Sequence, residues 1–151
     1  MSRHQVALAR ILLGALAVGA VLAQAVIVPQ LASDYAERFP EVAHLEAPYV
    51  LAVVVALAFF EVALLAAWQL LAAEGGEREP VRKAKPWTNI GMACLCLMAL
   101  IFAGICVHAG SVAKVGGPAM LFGLVTSVAF IATVLALRSK ATTLALEKGA
   151  E

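Results

Sequence analysis

Residues 48–73 read PYVLAVVVALAFFEVALLAAWQLLAA, an apolar run with a single charge, Glu61, near its middle. About 20 helical residues cross the hydrocarbon core of a bilayer, so the run is long enough to span one. It lacks the alternation of a barrel strand, and a lipid-exposed backbone must satisfy its own hydrogen bonds, so a helix is expected. Three more runs have the same character: Ala7 to Val28, Ile90 to Ala109 and Ala119 to Leu137. With 63% hydrophobic residues and a mean hydropathy of +0.94, the 151 residues leave no room for a separate water-soluble domain. The expectation is an all-α fold, a four-transmembrane-helix bundle in one membrane domain over residues 1–151, with an outer loop at 29–47 and a cytoplasmic loop at 74–89.

Lys and Arg set the orientation. Arg3 and Arg10 precede the uninterrupted part of the first span, Arg78, Arg82, Lys83 and Lys85 lie between the second and third, and Arg138, Lys140 and Lys148 follow the fourth. Only Arg38 and Lys114 fall in the other two loops. The positive-inside rule then places both termini in the cytoplasm, as a multi-pass protein of a bacterial plasma membrane. Trp68 and Trp87 on one side, and Tyr35, Phe39 and Tyr49 on the other, mark the two interfaces. Ala23, Gln24 and Ala25 mimic a signal-cleavage site, but Val26 to Val28 carry the apolar run past it, so the segment is read as a retained helix.

Between the spans, Gly75, Gly76, Pro80 and Pro86 favour a flexible hairpin. Its charges suit contact with anionic lipid, or a docking strip for a cytoplasmic regulatory protein. In the outer loop, Asp34 and Glu37 have capping-box spacing, Pro40 suits the first turn of a further helical segment, and Pro48 is placed to open the second span. A short interfacial helix is expected there.

Two rows of small residues at four-residue spacing stand out, Ala15, Gly19 and Ala23 in the first span and Ala119, Gly123 and Ser127 in the fourth. Such rows let helices approach closely in lipid. They are expected to pack within the bundle, with a homo-oligomer as the other use.

Glu61 is the candidate intramembrane polar site. A charge at that depth costs roughly 2.5 to 3.5 kcal/mol on insertion scales. Counting inward from the assigned ends puts Gly19, Phe102 and Val125 to Ser127 level with it, with no Lys, Arg or His among them. A protonated Glu61 donating to Thr126, Ser127 or a backbone carbonyl is therefore expected. It serves either as hydrogen-bonding glue or as a proton or cation relay.

Cys94, Cys96 and Cys106 lie inside the third span, at spacings that preclude a redox pair, and read as packing residues. Glu41 and His44, three apart, with His108 at the outer end of the third span, are weak outer-face candidates for a metal or a haem. Solvent-exposed loop residues are the simpler reading, and neither metal nor cofactor is expected.

The stretch Val28, Pro29, Gln30, Leu31, Ala32, Asp34, Pro40, Glu41, Val42, Ala43, His44, Leu45, Ala47, Pro48, Tyr49, together with Trp68, Leu70 and Leu71, resembles a family of small four-helix bacterial membrane proteins classed only as a domain of unknown function and common in high-GC Gram-positive bacteria. The resemblance implies no catalytic or binding residues. Some members are encoded near small helix-turn-helix regulators, which implies a regulatory partner by association.

With no nucleophile, base and orienter recognisable, an enzyme is not expected. Direct nucleic-acid binding is not expected either, because the basic residues are spread over three short segments. A structural or regulatory component of the lipid bilayer is the primary expectation. The alternative is a small transporter or proton/cation-coupled subunit using Glu61.

Overall fold

The structure, a computed structural model, describes residues 3–73, 80–112 and 117–148 and is all-helical there. It comprises α1 (Arg3–Leu22), α2 (Val28–Arg38), α3 (Glu46–Ala73), α4 (Pro80–Val107) and α5 (Pro118–Lys148). Four stretches are long and apolar enough to cross a membrane: His4–Arg38, Pro40–Ala72, Lys85–Ser111 and Pro118–Lys140.

The first of these is longer than the sequence reading allowed. α1 passes into α2 through a π turn at Ala23–Ile27, where the Val28 N–H reaches back five residues to the Ala23 carbonyl. Pro29 explains the wider turn, because its ring has no N–H for the carbonyl four residues back and crowds it. Most of the expected outer loop is therefore helical. Asp34 and Glu37 lie inside α2 rather than capping a helix. The break comes at Phe39, driven off helical geometry (φ −131°, ψ 73°) by the proline that follows it. Pro40 opens a 3-10 turn over Pro40–Leu45, as its position suggested, and α3 follows at once.

The loop between the second and third spans is likewise shorter than expected. α4 begins at Pro80 and runs through Pro86. Proline is preorganised for a first turn, and the Arg, Lys and Ala that follow are good helix formers. Residues 74–79, which carry Gly75, Gly76 and Arg78 of the expected hairpin and docking strip, lie outside the described residues, as does Lys114.

The helices form a row. Among the described residues, α1 meets α3 but neither α4 nor α5, and α5 meets α4 but not α3. Among the described residues no contact closes this row of the expected four-helix bundle into a ring. Its core explains why: Ala56, Ala63, Ala66, Cys94, Ala99 and Ala109 are buried, whereas Leu12, Leu51, Leu65 and Phe122 face outward. In lipid an outward leucine is already in apolar surroundings, so close approach of small residues decides the packing and nothing forces the ring shut.

α3 and α4 make the tightest seam. A Cβ added to Gly91 would stand 3.3 Å from the Ala66 Cβ and 4.0 Å from the Ala63 carbonyl oxygen. Against α5, a Cβ at Gly123 would lie 2.7 Å from the Cys106 Sγ. Gly123 and Ser127 of the second small row thus pack inside the protein, with Ser127 buried and its hydroxyl donating to the Gly123 carbonyl at 2.9 Å, whereas Ala119 is exposed. The first row does not. Gly19 has nothing within 4 Å of an added Cβ, and Ala15 is exposed.

A double-mutant cycle tests the α4–α5 contact. Gly123→Ala alone is expected to destabilise by about 1 to 3 kcal/mol through overpacking. In a Cys106→Ala background the obstructing sulfur is gone and most of that loss should vanish, read as a coupling energy from unfolding in detergent.

Candidate functional site

Three polar side chains of the membrane-spanning segments belong to the contact between α1 and α3. Two hydrogen bonds fix its antiparallel register. Arg10 Nη2 donates to the Leu71 carbonyl at 3.4 Å, and Gln24 Nε2 donates to the Val54 carbonyl at 2.7 Å. Between them Gly14 approaches the Trp68 ring, at 3.8 Å from an added Cβ.

Glu61 lies seven residues from both Val54 and Trp68, so all three share one face of α3 at helical periodicity. That face is the one turned to α1. Midway between Gly14 and Gln24 is Gly19, whose neighbour Ala20 is buried at 7% exposure, so Glu61 is level with that part of α1. The depth expected from the sequence holds on this helix.

On the other two helices it does not. The Gly91–Ala66 approach and the Tyr49–His108 hydrogen bond (2.8 Å) set the α3–α4 register, which places Cys96, not Phe102, opposite Glu61. Following the Cys106–Gly123 contact across, the same level on α5 is Thr133. The Thr133 hydroxyl donates to the Ala129 carbonyl at 2.8 Å, within its own helix. Thr126 and Ser127 therefore stand away from Glu61, and α5 does not touch α3. The counting failed because the ends it started from were not the helix ends: α4 begins at Pro80 and not Ile90, and α5 runs on to Lys148 past Leu137.

Glu61 Oε1 and Arg10 Nε are buried without a hydrogen-bond partner among the described residues. Nor do they satisfy each other. Arg10 is level with Leu71, ten residues from Glu61, or about 15 Å of helical rise. The arginine side chain leans toward the start of its helix, away from the carboxylate.

Beside Arg10 the α1–α3 contact opens into an apolar groove of about 440 Å³, lined by Leu12, Leu13 and Leu16 of α1 and by Ala67, Leu70 and Leu71 of α3. Leu71 belongs to both features. Its carbonyl takes the Arg10 donor, and it walls the groove.

At the opposite end, His108 is engaged by Tyr49 rather than left free for a ligand. The Tyr49 hydroxyl and the His108 Nδ1 share the 2.8 Å hydrogen bond, and the rings meet edge to face with centroids 5.8 Å apart. Glu41 and His44 lie in the 3-10 turn, whose three residues per turn align them along one side. Among the described residues no group of three or more His, Cys, Asp or Glu is placed to hold a metal ion. Cys94 is buried in the α3–α4 seam, and Cys106 packs on Gly123; both thiols are free.

Sequence reading missed Gln24, although a lone amide inside an apolar run is itself a signal for interhelical hydrogen bonding. It also missed that Arg10 is drawn into a helix contact. Arginine near the start of a span reads as a topology marker, and only its neighbour on α3 reveals the second use.

Over residues 30–147 the chain matches the family described as Protein of unknown function (DUF2975) and belongs to that family. The resemblance read from the first loop and the second span is thereby borne out. No curated relative and no solved structure matches the chain.

Proposed function

We propose that this member of the DUF2975 family is a non-catalytic membrane component, structural or regulatory, that works by presenting α1 to another helix in the bilayer. The observation that carries the reading is the one-sided seating of α1. Among the described residues it rests on α3 alone, and only 6% of its apolar window is buried. Its far face holds the small row Ala15, Gly19 and Ala23, the kind of surface on which helices associate in lipid. The partner helix belongs to a second copy of this chain or to another membrane protein.

In this reading both termini and the segment joining α3 to α4 face the cytoplasm of a bacterial plasma membrane. Support comes from the antiparallel row, which gathers Arg10, Lys85, Arg138 and Lys140 at one end. Those charges also suit a cytoplasmic regulatory protein docking there.

Photocrosslinking in intact membranes tests the α1 role. A photoreactive side chain at Val26, on the far face, is expected to give a discrete protein adduct that Gly19→Leu abolishes. The same group at Phe122, exposed on α5, should label lipid only. Lipid labelling alone from Val26, or an adduct indifferent to Gly19→Leu, would refute the proposal.

A second reading is favoured by the unpartnered Glu61 Oε1. An intramembrane carboxyl whose Oε1 has no partner among the described residues is the kind of group that marks ion pathways, which suits a subunit coupled to ion movement.

A further inference from the structure

We propose that the groove beside Arg10 is a binding site for one anionic phospholipid, with the phosphate on the Arg10 guanidinium and an acyl chain lying along Leu12, Leu13 and Leu16. The inference rests on Arg10 and the groove and not on Ala15, Gly19 and Ala23, the row that carries the proposed role of α1, although Leu12 and Leu16 border that row at helical spacing.

Three observations converge. The first is chemical. Arg10 reaches one protein acceptor, the Leu71 carbonyl, at a long 3.4 Å, and its Nε is buried with no partner among the described residues. A guanidinium offers five donors in a planar fork that matches a phosphate, so the donors left over suit an oxyanion. Among the described residues no carboxylate is placed to take them, since Glu61 lies ten residues away along α3.

The second is shape. Leu71, whose carbonyl takes the Arg10 donor, also lines the groove, which is apolar and about 440 Å³, a shape that fits a hydrocarbon chain better than a free inorganic anion. The third is depth. Arg10 is level with Leu71, two residues from the end of α3, and just outside the level of Trp68. Indole rings settle at the headgroup boundary, so Arg10 sits where a phosphodiester sits and the groove runs inward from it, where the chains are. Basic pockets between spanning helices recognise lipid headgroups in this way.

Native mass spectrometry on the full-length protein tests the site, with phosphatidylglycerol and phosphatidylcholine of identical chains supplied at equal concentration. Wild type is expected to retain phosphatidylglycerol in preference by about fivefold, the worth of one cation near a membrane surface. Arg10→Gln should bring the ratio to parity, and Arg10→Lys should keep part of it because the charge remains while the fork is lost. Ala67→Leu, which fills the groove and leaves Arg10 in place, should lower retention of both lipids. An unchanged ratio in Arg10→Gln would overturn the proposal, as would full retention in Ala67→Leu. Displacement of the lipid by inorganic phosphate at equal concentration would overturn it too, since the chain would then contribute nothing.

Discussion

Gly91→Leu is expected to separate α3 from α4 and to lower stability by about 2 to 3 kcal/mol, near the top of the range for overpacking. The site leaves little alternative. An added Cβ meets the Ala66 Cβ at 3.3 Å, and Ala66 is only 1% exposed. Neither atom has a rotamer to change, and the next neighbour is the Ala63 backbone carbonyl. A leucine there can be housed only if the helices move apart. Ala56, wholly buried on the same face of α3, would then lose its packing as well.

This contrasts with Gly123, where the obstructing atom is a thiol at the end of a short side chain that can turn aside. Thermal unfolding in detergent distinguishes the two. Gly91→Leu should shift the transition strongly and resist rescue at any single neighbour, whereas Gly19→Leu, facing open space, should leave it in place. Equal effects at Gly91 and Gly19 would show that the α3–α4 seam is not the stabilising one.

Hydropathy revealed the elements because lipid imposes a simple condition on a chain: long apolar runs with internally bonded backbone. It could not reveal their arrangement for the same reason. In water a leucine stripe identifies the buried face, but here Leu12, Leu51 and Leu65 face outward and the alanines face in. The useful signal was small-residue spacing, which is ambiguous: Gly123 and Ser127 pack on α4, while Ala15, Gly19 and Ala23 have the same spacing and point away from α3. Proline is an unreliable mark of a helix end here: Pro40 does open a turn, but others do not. Pro29 and Pro86 both lie within continuous helix, the first accommodated by a π turn. Glu61 was legible as an anomaly from sequence alone, but its surroundings were not, because depth counting cannot show that α5 never reaches α3.

Glu61→Leu is expected to stabilise the protein by about 1 to 3 kcal/mol, the penalty commonly attached to a buried polar group left without a partner. A residue acting as hydrogen-bonding glue would behave in the opposite way. Glue requires a fixed acceptor or donor, and Glu61 Oε1 has none among the described residues. Gln24, by contrast, does act as glue through its 2.7 Å bond to Val54, and its removal should cost on the order of 0.6 kcal/mol, the average for such bonds in membranes. Stability alone would therefore favour leucine at position 61, and a residue kept against stability is most simply explained by use. Proton flux into proteoliposomes, measured beside unfolding of the same samples, separates the readings. The ion-coupled reading requires flux in wild type that is lost in both Glu61→Gln and Glu61→Leu, while Glu61→Leu unfolds at a higher temperature. If Glu61→Leu instead unfolds at a lower temperature and Glu61→Gln matches wild type in flux, the carboxyl is a structural group whose partner forms only in the bilayer, and the α1 contact remains the basis of function.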